Sequence, residues 1–165
     1  MIRADAYTPD VWEAICTPMH EILPASPKHG SGALFLGSWT AAVDTDLLAR
    51  HGVRAIVECH DAPWGICEST SSANGSGVAI PDSPTPGLLE PHLDGAVRFI
   101  RDRLSRGENV LVHCQQGISR SPAIVCAFLM RERALSYDAA LQIVRSRRKC
   151  IKPNVGFENT LRSWK

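Results

Sequence analysis

The stretch "NVLVHCQQGISRSPAIVCAFLMRER" (109–133) joins an apolar strand to an apolar helix through a short polar loop. Residues 109–113 lack polar alternation, a pattern typical of a strand at the centre of a sheet covered on both faces. Ser121 and Pro122 favour a helix start, because proline suits the first helical position, whose N–H has no partner. The stretch therefore predicts a strand–loop–helix unit at the carboxyl edge of a sheet, where ligands bind in open α/β folds.

Sequence patterns on both sides of this stretch predict an α/β fold. Apolar runs predict further strands at 33–37, 53–58 and 78–80. Periodic apolar positions with caps or glycine stops predict helices at 44–52, 88–107, 122–133, 136–148 and 154–165. Asp44 and Ser136 are the expected N-caps, and residues 61–77 are expected to form a loop. The alternation predicts one domain over residues 1–165, with a central, largely parallel sheet of about four to five strands flanked by helices.

Composition limits the classes of partner and compartment. The 165 residues, 44% hydrophobic and 21% charged, suit one globular domain. A net charge of +1 gives no general preference for nucleic acid or membrane, so neither is an expected partner. The N-terminal segment lacks the apolar stretch of a signal peptide, and the longest apolar run, 123–130, is too short to span a bilayer. Six irregularly spaced cysteines then favour reduced thiols in the cytoplasm, with the nucleus as a second compartment.

The sequence contains no recognisable metal or cofactor motif. Cys59, His60 and Cys67 come closest to a zinc site, and they lack a second pair of ligands. We therefore expect neither a metal nor another cofactor. No pattern predicts the oligomeric state.

The loop after the central strand has the features of an anion site built around a nucleophile. Its backbone N–H groups lie at a helix N-terminus, where they can converge on a phosphate. The predicted phosphate-binding residues are Gln115, Gln116, Gly117, Ile118, Ser119 and Arg120. Cys114 is expected to be a thiolate at neutral pH, because a helix N-terminus and an arginine both favour ionisation of a thiol. The Arg120 guanidinium can hold two phosphate oxygens, so a thiolate aimed at phosphorus implies covalent catalysis through a phosphocysteine.

Covalent phosphoryl transfer also needs an acid for the leaving oxygen and a base for the attacking water. Asp82 is the candidate, since it follows a short strand in "IPDSPTPG" (80–87), where prolines restrict the loop. Ser121 can donate a hydrogen bond to the cysteine sulfur and help it to leave in the second step. His113 ends a buried strand, so we expect it to order the loop through hydrogen bonds rather than to act as the base.

The segment "VLVHCQQGISRSPAIVCAFLM" (110–130) resembles the signature loop and following helix of the cysteine-dependent dual-specificity protein phosphatases. The similarity extends over about residues 33–164, through "LFLGSWTAAVDTDLLARHGVRAIVE" (34–58), "AIPDSP" (79–84) and "ALSYDAALQIVRSRRKCIKPNVGFENTLRSW" (134–164). It implies the protein-tyrosine-phosphatase-like fold in a small, atypical member that is a catalytic domain alone. It also implies hydrolysis of phosphotyrosine and phosphoserine or phosphothreonine in phosphorylated proteins without a metal.

The same resemblance implies roles for individual residues. The nucleophile is Cys114, the phosphate-binding arginine Arg120, the general acid Asp82 and the assisting hydroxyl Ser121, while Asn154 matches an asparagine that braces the loop. Some relatives form a protective disulfide from the position of Cys59, which makes it a candidate redox partner of Cys114. A small buried side chain is the preferred interpretation of Cys59.

Several alternatives remain open from the sequence. The run "RSRRK" (145–149) is interpreted as a solvated helix end, with a patch that recruits acidic substrates as the alternative. The whole site could belong to a module that grips phosphoproteins without cleaving them, or to a phosphatase for a non-protein ester. A sulfur transferase also uses a loop cysteine, but it would need neither Asp82 nor Arg120.

Overall fold

The computed structural model describes residues 6–61 and 75–165, which form a five-stranded sheet with helices on both faces. The strands are β1 (Met19–Leu23), β2 (Leu34–Ser38), β3 (Val53–His60), β4 (Gly75–Ala79) and β5 (Asn109–Cys114). Their spatial order is β1-β2-β5-β3-β4. Only β1 runs antiparallel to its neighbour; the other pairs are parallel. The predicted α/β class and the central, largely parallel sheet are therefore confirmed.

Seven α-helices surround the described part of the sheet. They are α1 (Pro9–Cys16), α2 (Trp39–Val43), α3 (Thr45–Arg50), α4 (Glu90–Ser105), α5 (Arg120–Arg133), α6 (Tyr137–Arg147) and α7 (Val155–Ser163). Asp44 caps α3 by accepting a hydrogen bond from Leu47 N at 2.8 Å, and Ser136 caps α6 at 3.3 Å from Ala139 N, as predicted. None of the described helices is both long and apolar enough to cross a membrane.

Strand β5 lies at the centre of the sheet and is covered on both faces. Val110 and Val112 belong to the larger core, which also contains the apolar faces of α4, α5, α6 and α7. Leu111 points the other way, into a smaller core beneath α2 and α3. All three side chains are fully buried, and each contributes about 1.5–3 kcal/mol relative to an exposed position. This burial fixes the end of β5, from which the polar loop begins.

The structure differs from the sequence predictions at several element boundaries. Strand β1 was not predicted, because its five residues "MHEIL" place His20 and Glu21 in the middle and Pro18 and Pro24 on either side. Such prolines are compatible with an edge strand but hide its pattern. Helices α1 and α2 were not predicted from the sequence either.

Two predicted boundaries are corrected around the loops. Residues 75–77 belong to β4 rather than to the predicted loop 61–77, of which residues 62–74 lie outside the described chain. Helix α5 begins at Arg120, so Pro122 is its third residue and not its first. No hydrogen bond is lost by this, since the N–H of the third helical residue also has no intrahelical partner.

Candidate active site

The polar loop starts where the carboxyl ends of three parallel strands meet. Cys114 ends β5 and is buried, with Ser38 of β2 beside it in register. On the other side, the pairing of Glu58 with His113 places Cys59 of β3 next to Cys114. Helix α5 begins directly after the loop, and Ser121 in its first turn donates a hydrogen bond to Cys114 Sγ. The positive end of the helix dipole therefore lies beside the cysteine.

The carbonyl groups of the loop are held by partners outside it. Trp39 N donates to Gln115 O at 3.2 Å, and Lys152 N donates to Ile118 O at 2.7 Å. The two intervening carbonyls, those of Gln116 and Gly117, accept from Arg148.

Arg148 binds the back of the loop, where the sequence had predicted a solvated helix end. Its Nη2 donates to Gln116 O at 3.1 Å and its Nε to Gly117 O at 3.0 Å. All the described peptide bonds are trans, so the C=O and N–H of each peptide point in opposite directions. Holding the carbonyls of residues 115–118 outward therefore turns the N–H groups of residues 116–119 inward, which creates an anion-binding nest.

Gly117 makes this curvature possible. Its φ is +67°, in the left-handed region that favours glycine. A Cβ at this position would lie 2.5 Å from the carbonyl oxygen of Gly37 on β2. The loop is thus pressed against the sheet, and no other residue fits.

Two hydrogen bonds converge on the Cys114 sulfur. Gly117 N and Ser121 Oγ each donate to Sγ at 3.2 Å. Both donors are buried. Together they stabilise negative charge on the sulfur, the form of cysteine that acts as a nucleophile.

Arg120 is buried at the start of α5, with its side chain directed across the loop towards β3. Its Nη1 forms an ion pair with Asp61, the residue directly after β3. Its Nε is buried and has no hydrogen-bond partner among the described residues. A phosphate oxygen would satisfy that donor. The role of Asp61 was missed from the sequence, although its place after a strand adjacent to β5 was an available signal.

Asp82 lies at the rim of the nest, held by a small network. Its Oδ1 accepts from Ser119 Oγ at 2.6 Å and from Asn154 Nδ2 at 2.8 Å. Asn154 N also donates to Ser119 Oγ at 3.1 Å, while Asn154 Oδ1 caps α7 through Phe157 N at 3.0 Å. The structure thus brings Asp82 and Asn154, which are far apart in the chain, to the same side of the loop.

His113 and Cys59 are both buried, His113 directly before Cys114 on β5 and Cys59 next to it on β3. Burial lowers the pKa of His113 to about 4, although the backbone of Cys114 acts in the opposite direction. Its Nδ1 has no partner within the described chain, and the Trp39 ring lies 6.1 Å away between centroids. Burial and the neighbouring Cys114 raise the pKa of Cys59, which favours its protonated thiol. Cys59 and Cys114 are both free thiols.

A cleft of about 700 Å³ opens next to the nest on the Asp82 side. Its lining combines the rim of the loop with α6, α7 and the segment between them: Asp82, Ile118, Ser119, Tyr137, Arg145 and Lys152 are among the residues. Within residues 6–61 and 75–165, no group of three or more His, Cys, Asp or Glu side chains is arranged to hold a metal ion.

Comparison with known proteins identifies the family of this arrangement. The family profile described as "Dual specificity phosphatase, catalytic domain" matches residues 34–165. Dual specificity protein phosphatase 22-B of Danio rerio is 35% identical over 131 residues, covering 79% of this chain and 69% of the relative. Dual specificity protein phosphatase 22 of Homo sapiens is 33% identical over 148 residues, covering 88% of this chain and 73% of the relative.

Solved structures agree with the sequence comparison. Human DUSP28 superposes with a TM-score of 0.73 at 33% identity, covering 88% of this chain and 90% of that chain. The human tyrosine phosphatase-like serine/threonine/tyrosine-interacting protein gives a TM-score of 0.76 at 31% identity, covering 88% and 94%. With its Cys114 loop at the carboxyl edge of the sheet, this chain belongs to the dual specificity phosphatase family, as a small catalytic domain of the protein-tyrosine/dual-specificity phosphatase class of enzymes.

Proposed function

We propose that this protein hydrolyses phosphotyrosine and phosphoserine or phosphothreonine in protein substrates, through a phosphocysteine at Cys114 and without a metal ion. The observation that carries the proposal is the Cys114 sulfur accepting from an N–H group of its own loop, which also contains Arg120, whose buried Nε has no partner among the described residues. A phosphate group has the charge and the oxygen atoms to satisfy these donors. The names of the relatives support a phosphorylated protein as the substrate.

In the first step, the Cys114 sulfur attacks phosphorus, an S–P bond forms and the P–O bond to the substrate breaks. Asp82, protonated at this stage, gives its proton to the leaving oxygen. The backbone N–H groups and Arg120 stabilise the charge on the other phosphate oxygens in the transition state. Asp61 holds Nη1 of Arg120, which directs the buried Nε towards the phosphate.

In the second step, a water molecule attacks phosphorus and Asp82, now a carboxylate, takes its proton. The S–P bond breaks, inorganic phosphate forms and Cys114 leaves as a thiolate. Ser121 and Gly117 assist this departure, because their donors already contact the sulfur. Arg120 and the N–H groups supply the charge stabilisation that metal ions provide in other phosphoryl-transfer sites.

The network around Asp82 fits its dual role. Ser119 and Asn154 both bond to Oδ1, so Oδ2 is the oxygen proposed to exchange the proton. The side chain is exposed at the mouth of the nest, within reach of a leaving group and of water. We also propose that the protein works in a reducing compartment, the cytoplasm or the nucleus, since oxidation of Cys114 would abolish its nucleophilicity.

Hydrolysis of phosphate esters that differ in leaving group tests this proposal. In buffer with EDTA and reductant, we expect turnover of p-nitrophenyl phosphate and of phosphotyrosine and phosphothreonine peptides. Cys114→Ser should lose about 10⁴-fold or more in kcat. Asp82→Ala should lose about 10²-fold on phosphothreonine peptide. Its loss on p-nitrophenyl phosphate should be smaller, because nitrophenolate leaves readily without a proton.

Matched controls separate these roles from general damage. Cys16→Ser and Asp46→Ala change an exposed thiol and an exposed carboxylate that form no hydrogen bond with the described residues of the loop, and both variants should keep full activity. An equal loss on all esters in Asp82→Ala would contradict its role as the acid. Inhibition of the wild type by EDTA would contradict the metal-independent mechanism.

A phosphoprotein-binding module is the second candidate. One neighbour with this fold is named as a phosphatase-like interacting protein. The fold is therefore shared by proteins named as phosphatases and by a protein named for its interactions. If wild-type protein bound phosphotyrosine peptide without releasing phosphate, the binding function would replace the catalytic one. Turnover of a small non-protein ester in strong preference to phosphopeptides would instead contradict the proposed substrate class.

A further inference from the structure

Arg148 is completely buried behind the nucleophile loop (114–120), just after α6. It is among the largest side chains with no solvent exposure in the described chain. Removing a guanidinium from water is costly, and buried charges normally face a carboxylate or a metal. The residues that contact Arg148 therefore indicate what its burial achieves.

No carboxylate in the described ranges lies within ion-pair distance of Arg148; its partners are backbone carbonyls and one ring nitrogen. Nη1 donates to Thr17 O and to His20 Nδ1, both at 2.9 Å. Nε and Nη2 donate to the loop carbonyls of Gly117 and Gln116. Burial lowers the pKa of His20, which favours the neutral ring that can accept this bond. One end of the guanidinium is thus anchored to the chain before and within β1, and the other end grips the loop.

A single peptide group connects Arg148 to the nucleophile. The carbonyl of the Gln116–Gly117 peptide accepts from Arg148 Nη2 at 3.1 Å. The N–H on the opposite side of the same peptide donates to Cys114 Sγ at 3.2 Å. Hydrogen bonds in such a chain polarise one another, so a cation on the carbonyl strengthens the N–H as a donor. Burial lowers the pKa of Arg148 itself, while the thiols of Cys150 and Cys114 act in the opposite direction.

We propose that Arg148 is a positioning residue of the active site, which aligns and polarises the Gln116–Gly117 peptide so that it stabilises negative charge on the Cys114 sulfur. The inference rests on the proposed role of Cys114 as nucleophile. An arginine suits this position because its planar fork engages two successive carbonyls with Nε and Nη2 at fixed spacing. A lysine would supply the charge but only a single point of contact.

Other ionisable groups also lie around the Cys114 loop, and none of them is substituted in the Arg148 variants. They are Glu58 and Cys59 on β3, Arg120 with its partner Asp61, Cys150 after α6, and Asp82 at the rim. His113 precedes Cys114, and its side chain points to the opposite face of β5. A change in the ionisation of Cys114 in an Arg148 variant that keeps its fold can therefore be assigned to the lost guanidinium.

Alkylation of Cys114 by iodoacetamide as a function of pH tests the proposal without any substrate. The modified Cys114 peptide is quantified by mass spectrometry, and folding is checked by circular dichroism and thermal melting. In Arg148→Gln, the pH midpoint of the alkylation rate should rise by about one unit or more. Arg148→Lys should give a smaller rise, because the charge is kept and the fork is lost. Arg147→Gln removes an exposed arginine from the same helix end and should leave the midpoint unchanged.

A purely structural role for Arg148 would lower the melting temperature and leave the midpoint where it is. A folded Arg148→Gln protein with an unchanged midpoint would therefore overturn the proposal, as would an equal rise in Arg147→Gln. If Arg148→Gln does not fold, Arg148→Lys and His20→Leu decide the matter. His20→Leu removes one anchor of the guanidinium and should shift the midpoint upward by less; no shift in either variant overturns the proposal. Normal alkylation in a wild-type protein without phosphatase activity would instead contradict the proposed function alone.

Discussion

The nucleophile loop (114–120) and the acid loop (81–87) face each other across the active site, yet they are held in different ways. The nucleophile loop is mostly buried, and its backbone carbonyls are bonded to Arg148 and to neighbouring chain segments. The acid loop is mostly exposed, and Asp82 is held through side-chain hydrogen bonds to one of its oxygens. The first arrangement fixes the proposed nucleophile, whereas the second leaves the proposed acid able to adapt to leaving groups of different size.

The largest effect should follow from adding a methyl group to the nucleophile loop. In Gly117→Ala, the new Cβ would lie 2.5 Å from Gly37 O at a φ of +67°, so the loop must shift or strain. We expect a loss of about 2–4 kcal/mol in the free energy of unfolding, measured by urea denaturation, and loss of phosphatase activity.

Gly95→Ala is the matched control for that substitution. Gly95 lies in α4, and no atom of the described residues comes within 4 Å of the added Cβ, so this variant should gain about 0.5–1 kcal/mol and keep its activity. If Gly117→Ala retained normal stability and activity, the nucleophile loop would be as adaptable as the acid loop.

Low pH should lower the free energy of unfolding through His113, which lies at the buried end of β5 next to the nucleophile loop. Burial lowers the pKa of His113 from 6.5 to about 4, so the unfolded chain takes up the proton first as the pH falls. The contribution to the free energy of unfolding is complete above pH 6.5 and declines by up to about 3 kcal/mol as the pH approaches 4. Urea denaturation across this range should show a shallower pH dependence in His113→Gln than in the wild type. Identical slopes would contradict this, while the slope shared by both proteins reports other groups such as His20.

Removing the hydroxyl that contacts the sulfur should slow the second chemical step. Ser121→Ala deletes the donor 3.2 Å from Cys114 Sγ, and a hydrogen bond to a charged group contributes about 1.5–3 kcal/mol. We expect phosphocysteine hydrolysis to slow by about 10- to 100-fold, with a burst of the first product in stopped-flow measurements. Ser146→Ala, on the exposed side of α6, should show neither change. A burst-free Ser121→Ala enzyme with normal kcat would rule out assistance by this hydroxyl.

The smallest effect is expected from loosening the acid loop. Asn154→Ala removes the donor to Asp82 at 2.8 Å and the cap of α7, so kcat should fall by about tenfold and stability by about 1 kcal/mol. Ser136→Ala removes a comparable cap from α6 without contacting Asp82, and it should lose stability only. Equal losses of kcat in the two variants would show that capping, and not the contact with Asp82, affects the rate.

The sequence predicted the features that depend on residues close together in the chain. These features depend on neighbours only a few residues away, so sequence patterns could predict them. They are the apolar run of β5, the glycine at position 117 and the caps Asp44 and Ser136. The strand-to-helix loop was predictable for the same reason.

Features that depend on distant contacts were not predictable in this way. Arg148 looked like a solvated cation because its partners Thr17 and His20 precede it by more than a hundred residues. Asp61 meets Arg120 only because β3 lies beside β5 in the sheet. Strand β1 was not predictable, because it is defined by its pairing with β2 rather than by an alternation of apolar and polar side chains.

Trapping the covalent intermediate is the most direct test of the mechanism. The Asp82→Ala enzyme would be mixed with phosphotyrosine peptide, denatured within milliseconds to seconds, digested and examined by mass spectrometry. We expect a phosphoryl group on the peptide that contains Cys114, absent from the Cys114→Ser protein treated in the same way. Phosphate release by active enzyme with no phosphorylated Cys114 at any time, or with the phosphoryl group on another residue, would contradict nucleophilic catalysis by this cysteine.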